Sequence, residues 1–290
     1  MFTGSIVATV TPMKDGKVDE RSLRGLLRMH AESGTAGIVP AGCTGEAATL
    51  SSEERLRMLA VCLEEVGDAL SVIPGTGSNS TTETLHLTKT AEAAGAHGAL
   101  IITPYYNKPT PEGMYRHYRE VALEVGIPII LYNVPSRTGV NLLPETVARL
   151  SEIENIVAIK EASGSVDQVS EIAELCDITI LSGDDPLTLP MMSVGAKGVV
   201  SVVANVLPRM VSEMVGAYPG RPARAVELHH ALRPISKALF LETSPGPIKY
   251  AMAELGLIAS GELRAPLAEV TEQTKQMMAD ALDAIRSARG

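Results

Sequence analysis

An α/β fold closed as a (β/α)8, or TIM, barrel with a C-terminal helical extension is what this sequence predicts, and three observations predict it. Eight short apolar runs recur along the 290 residues, each followed by a turn rich in Gly, Thr, Asn or Asp and then by an amphipathic helical pattern. The runs are apolar almost throughout, as strands of a parallel sheet covered on both faces are. After residue 222 no such run follows, and only helical periodicity remains. Eight strand–helix units favour closure into a barrel over an open doubly wound sheet. The expected organisation is a barrel over residues 1–222 and a helical region over 223–290.

The eight runs are residues 5–11, 37–41, 71–74, 99–103, 127–132, 156–160, 178–182 and 198–204. Helix signals lie between them. Ser51 and Glu54 pair as a capping box ahead of Leu56, Leu59, Ala60 and Leu63, which recur at helical spacing. Pro111 and Pro144 stand in first helical turns, where a missing N–H costs little. Asp185-Pro186 reads the same way, as a helix cap and a first-turn proline. Beyond Tyr218-Pro219-Gly220-Arg221-Pro222 the helical patterns cover 223–241, 247–255 and 264–286.

Composition sets the class. With 45% hydrophobic and 20% charged residues and no low-complexity stretch, the chain is globular. A net charge of −9 argues against nucleic acid or an anionic membrane as partner. Cys43, Cys62 and Cys176 are far apart, odd in number and form no C-x-x-C, as expected of a reduced compartment. The first residues lack a basic signal-peptide start, and no apolar run reaches 18 residues. The expectation is a cytoplasmic protein.

In barrels of this kind the active site lies at the C-terminal ends of the strands. Those ends hold Gly42-Cys43-Thr44-Gly45-Glu46, Gly75-Thr76-Gly77-Ser78-Asn79, Pro104-Tyr105-Tyr106-Asn107, Tyr132 through Gly139, Lys160-Glu161 and Gly183-Asp184-Asp185. Lys160 closes the run Ile156-Val157-Ala158-Ile159, so its amine sits where a buried strand leaves the core. Burial disfavours the ammonium, and a neutral amine can attack a carbonyl to form a Schiff base; a lysine that reaches solvent is the alternative. Lys197 precedes the eighth run and belongs to the opposite face. Lys14, Lys17, Lys89, Lys237, Lys249 and Lys275 fall in loops or helices and are expected to be solvated, and Lys108 stands off the strand beside Pro109. The 42–46 turn offers two glycines, a hydroxyl and a row of backbone amides that suit a carboxylate or oxyanion, or form an ordinary tight turn. No histidine ends a run and no phosphate-loop pattern occurs, so neither a metal nor a nucleotide site is expected.

Taken together, Gly42-Cys43-Thr44-Gly45-Glu46, Tyr132-Asn133-Val134-Pro135-Ser136-Arg137-Thr138-Gly139 and Ile159-Lys160-Glu161-Ala162 resemble the pyruvate-dependent class I aldolase superfamily, which includes N-acetylneuraminate lyase. Within it the chain is similar, essentially end to end, to the dihydrodipicolinate synthase family, lyases that condense pyruvate with aspartate 4-semialdehyde in lysine and diaminopimelate biosynthesis. The resemblance implies that Lys160 forms the Schiff base with pyruvate and that no cofactor is needed. It implies that Thr44 and nearby amides hold the pyruvate carboxylate, that Tyr132 shuttles protons, and that Arg137 binds the carboxylate of the semialdehyde. Gly183 and Val200 match positions whose backbone lies close to the lysine. Tyr106 is expected to reach a neighbouring subunit's active site, implying a homotetramer built as a dimer of dimers. The phenol of Tyr132 has to be lowered from its ordinary pKa near 10 or bypassed by a relay, with Lys160 and Arg137 as positive neighbours.

Two departures from the family pattern stand out. Cys43 replaces the usual threonine of a hydroxyl relay between Tyr132 and Tyr106, and a thiol is the weaker hydrogen-bond donor; a small packing residue is the other reading. Asn79, Glu83 and Tyr105 match an allosteric lysine site, but Ser52 and Arg55 stand where sensitive members have histidines, so feedback is expected to be weak or absent. The competing functions are an aldolase or lyase acting on a sugar-derived 2-keto acid and a non-catalytic pyruvate-binding paralogue.

Overall fold

A computed structural model describes residues 2–289. Eight parallel strands form the barrel: β1 (Gly4–Ala8), β2 (Gly37–Val39), β3 (Ser71–Val72), β4 (Ala99–Ile102), β5 (Ile129–Asn133), β6 (Ile156–Glu161), β7 (Thr179–Ser182) and β8 (Gly198–Ser201). Their order around the sheet is β3-β2-β1-β8-β7-β6-β5-β4. The seam between β3 and β4 closes through a parallel bridge of Gly75 with Leu100, where Leu100 N–H donates to the Pro74 carbonyl and Thr76 N–H to the Leu100 carbonyl, both at 3.0 Å. Each expected run holds one strand. The regular ladder of β3 stops short because Pro74 has no N–H to contribute.

The two-residue period of the strands sorts side chains into two cores. Ile6, Ala8, Val39, Ile73, Leu100, Ile130, Ala158, Leu181 and Val200 fill the barrel interior. Their chain neighbours Val7, Ile38, Val72, Ile101, Leu131, Ile159, Ile180 and Val199 belong to the layer between strands and helices. The registers Tyr132 with Lys160 and Lys160 with Leu181 put these three side chains at one level of the interior, near its C-terminal mouth.

Local chemistry starts the surrounding helices where the sequence indicates. Ser51 and Glu54 complete the capping box at helix Ser52–Val66. Pro111 and Pro144 open the helices Pro111–Leu123 and Pro144–Ser151. After β1 an antiparallel pair, Met13–Lys14 with Lys17–Val18, turns through Asp15 and Gly16, both at positive φ, and this hairpin has no counterpart in the apolar runs.

The helical region contains Pro222–Ala238, Gly246–Glu254, Glu272–Met277 and Ala279–Arg289. The helix expected from residue 264 begins only at Glu272. Pro266 disfavours helix at its predecessor, and Arg264 instead gives its N–H to the Glu46 carboxylate at 3.1 Å. None of the helices among the described residues is long and apolar enough to cross a membrane.

Candidate active site at the strand ends

Lys160 is the last residue but one of β6, after four apolar residues, and at 5% exposure its side chain is buried at the barrel mouth. Burial lowers its pKa from 10.5 to about 8, with neighbouring Cys43 and Asp185 working the other way. The nitrogen lies over the ring of Tyr132, 4.2 Å from the ring centroid. Gly183 closes the opposite wall. A Cβ there would stand 3.0 Å from Lys160 Cε and 2.7 Å from Ala162 Cβ, so only glycine lets the chain pass this close.

The next residue, Glu161, points to the other side of the strand, as the period requires. Its buried carboxylate accepts from Asn133 Nδ2 (3.0 Å), Ser163 N (2.7 Å) and Gln168 Nε2 (3.1 Å). Burial raises its pKa. This network ties β6 to β5 directly behind the lysine. Asp185 corrects a sequence expectation. Its carboxylate does not cap its own helix but bonds the Ser201 hydroxyl and the N–H groups of Val202 (2.8 Å) and Val203 (3.2 Å), beyond β8. The proline at 186 does stand at the start of a short helix, as expected.

A cavity of about 490 Å³ opens over the amine, lined among others by Lys160, Tyr132, Cys43, Thr44, Arg137 and Gly183. A second cavity of about 310 Å³ shares Cys43, Tyr132, Arg137 and Ser244 and extends to Arg55 and Tyr105. Cys43 and Tyr132 thus form the partition between the two. Burial pushes the Tyr132 phenol well above 10, Cys43 adds to the effect, and Arg137 opposes it without prevailing. The phenol is therefore held protonated, the reverse of the lowered pKa considered from the sequence.

In the 42–46 turn, Gly45 has no room for a Cβ, which would meet Ala41 N at 3.0 Å and Thr9 O at 3.1 Å. Thr11 Oγ1 donates to the Gly45 carbonyl at 2.6 Å. Arg137 reaches the Ser244 carbonyl at 3.1 Å. Ser244 itself is buried, lines both cavities, and its hydroxyl has no hydrogen-bond partner among the described residues.

Of the remaining residues singled out from the sequence, Val200 is buried in the interior and lines neither cavity. Tyr106 is 88% exposed on the loop after β4, with φ 73, and lines neither cavity of its own chain. Tyr105 faces the second cavity. Glu83 accepts from the Ser78 hydroxyl at 2.6 Å, and the Asn79 carbonyl accepts from Asn107 Nδ2 at 2.8 Å. Arg55 donates to the Ala47 carbonyl, and Glu83 and Tyr105 act on its charge.

Lys249 is a correction. Expected to be solvated, it is fully buried, with Nζ 2.6 Å from Glu46 Oε1. A helical position alone cannot distinguish a lysine facing water from one facing a buried carboxylate.

Fold and mouth together define an α/β barrel with a buried, pKa-lowered amine at the C-terminal ends of its strands. A family profile described as "Dihydrodipicolinate synthetase family" matches residues 1–285, and the chain belongs to that family. It is 50% identical to a 4-hydroxy-tetrahydrodipicolinate synthase of Thermodesulfovibrio yellowstonii, over 97% of this chain and 98% of that protein. The structure of the 4-hydroxy-tetrahydrodipicolinate synthase from Methylacidiphilum fumariolicum SolV superimposes with a TM-score of 0.97 at 45% identity, covering 99% of this chain and 97% of that one. A chloride-inhibited dihydrodipicolinate synthase from Acinetobacter baumannii, solved in complex with pyruvate, gives a TM-score of 0.96 at 43% identity, with 99% of each chain covered.

Proposed function

We propose that this chain is a 4-hydroxy-tetrahydrodipicolinate synthase, joining pyruvate to L-aspartate 4-semialdehyde through an imine on Lys160. The observation that carries the reading is the amine: buried at a barrel mouth, with a pKa near 8, it is neutral often enough near physiological pH to act as a nucleophile. That a similar enzyme from A. baumannii has been solved with pyruvate supports the first substrate.

In this reading Lys160 adds to the keto carbon of pyruvate, and loss of water gives an iminium. The iminium draws electrons from the adjacent C–H bonds, so the methyl group gives up a proton, taken by the Tyr132 oxygen once that has protonated the departing hydroxyl, and becomes an enamine carbon. That carbon attacks the aldehyde carbon of the acceptor, forming the new C–C bond while the aldehyde oxygen takes up a proton; the iminium reforms on Lys160, and the acceptor's own amine then displaces the lysine, closing the ring and freeing the enzyme. Thr44 and the amides of its turn receive the pyruvate carboxylate. Tyr132, kept protonated by burial, hands its proton to the reacting oxygen and recovers it through Cys43. Arg137 pairs with the acceptor's carboxylate. The chemistry uses the chain's own amine and calls on no cofactor.

An exposed Tyr106 with a positive φ suits insertion into a second copy, so the proposed assembly is a homotetramer, a dimer of dimers, working in the cytoplasm without nucleic acid or membrane. Borohydride reduction with pyruvate, followed by peptide mapping, tests the reading. The expected mass increment lies on Lys160, and a label on another residue overturns it. A panel of aldehydes, aspartate semialdehyde and sugar aldehydes among them, then separates a synthase from a sugar-acid lyase.

A further inference from the structure

Beside the second cavity, which Glu46 lines, two opposite charged side chains have no exposure to water although the chemistry above uses neither. Glu46 ends the 42–46 turn in the left-handed region, at φ 56, where side chains other than glycine are uncommon. Its carboxylate and the Lys249 ammonium have no accessible surface and meet at 2.6 Å. The second carboxylate oxygen accepts the Arg264 N–H at 3.1 Å. Both partners come from the helical region, 203 and 218 residues further along the chain.

Taking two charges out of water is expensive, and a buried pair is weak evidence for added stability. What such a pair does provide is a fixed position. On the other side the same turn is held by Thr11, whose hydroxyl donates to the Gly45 carbonyl. Cys43 and Thr44 are therefore presented to the cavity by a turn anchored to the barrel on one side and to the helical region on the other.

We propose that Glu46 and Lys249 are positioning residues, through which the helical region fixes the backbone amides that receive the pyruvate carboxylate. The inference rests on the reading of the 42–46 turn given above.

The test compares the full-length enzyme with the double variant Glu46→Gln/Lys249→Met. It removes both charges together, keeps similar volumes, and leaves an amide oxygen for the Arg264 N–H. The expected result is a rise of about tenfold in KM for pyruvate, with kcat and the KM for the aldehyde within about twofold. Glu46→Gln alone, in which the lysine can give up its proton, is the milder second variant and must show the same pyruvate-selective rise. A folded variant with unchanged pyruvate KM, or with a fall in kcat alone, overturns the inference. Borohydride labelling of the unaltered enzyme is done first. Failure to label Lys160 there overturns the parent reading instead.

Discussion

The Lys160 nitrogen lies 4.2 Å from the centre of the Tyr132 ring, and the two residues are register partners on adjacent strands. One strand pair therefore supplies both the proposed nucleophile and the proposed proton carrier, at a spacing fixed by the sheet. Because burial holds the lysine near pKa 8, the rate of imine formation with pyruvate should rise with pH and level off above about 8. Single-turnover trapping between pH 6 and 10 measures it. A rate still climbing steeply beyond pH 9.5 would show an ordinary, solvated amine.

The same shift makes the lysine a stability liability. Its folded pKa of about 8 lies below a lysine's ordinary 10.5, so between those limits the unfolded chain binds more protons than the folded one. Stability thus rises with pH through that window, and below pH 8 the full penalty is present, on the order of 3 kcal/mol. Lys160→Met should abolish turnover and raise the melting temperature at pH 7 by a few degrees. Calorimetry at pH 7 and pH 10 checks both signs: the gain should shrink at the higher pH. A melting temperature that falls at both would mean the ammonium is not strained by burial.

Cys43 forms the partition between the two cavities and contributes to the raised pKa of Tyr132. A hydroxyl in its place would donate a stronger hydrogen bond to the phenol oxygen across a shorter reach. Cys43→Thr should therefore increase kcat, by up to about tenfold, with little change in either KM. Steady-state kinetics with both substrates decides it, and an unchanged or lower kcat would leave Cys43 as a packing residue.

Arg137 donates to the carbonyl of Ser244, a residue 107 positions away, which fixes the guanidinium proposed to bind the acceptor's carboxylate. Arg137→Lys keeps the charge but loses the planar pair of donors. The expected loss is about 10- to 100-fold in kcat/KM for the aldehyde, from one or two charge-assisted hydrogen bonds, with pyruvate labelling intact. If pyruvate labelling falls in parallel, the arginine serves the first substrate as well.

What was legible in the sequence follows from the range of the forces involved. Parallel strands buried on both faces are apolar almost throughout, so all eight could be found as recurring apolar runs, and the residues just beyond them had to share one rim. Long-range pairings left no such trace. Lys249 sits in an ordinary helical pattern, and only its partner 203 residues away makes it a buried charge. Asp185-Pro186 reads as a local cap, yet its carboxylate serves the backbone beyond β8. Glu161 follows Lys160 in the chain, and the pleat sends it to the opposite side, where Asn133 and Gln168 await it. In that last case the signal was present: two successive charged residues at the end of an apolar run imply one facing each layer.

Arg55 bears on regulation. It lines the second cavity, is partly buried, and shares its surroundings with Glu83 and Tyr105, two of the residues matched to a lysine-binding site. A free lysine entering there brings an α-ammonium and an ε-ammonium toward a guanidinium that cannot release its proton. Like charges in a partly desolvated cavity repel more strongly than they would in water, and the cost falls on binding. Ser52, exposed one turn earlier, offers no titratable group to offset it. The enzyme should therefore keep nearly full activity at lysine concentrations up to about 1 mM, an affinity of barely 4 kcal/mol. Arg55→His, which can present a neutral ring at pH 8, should increase sensitivity to lysine. Initial rates across a lysine titration at pH 8 test both statements, and submillimolar inhibition of the unaltered enzyme would show that the arginine turns aside and leaves the site open.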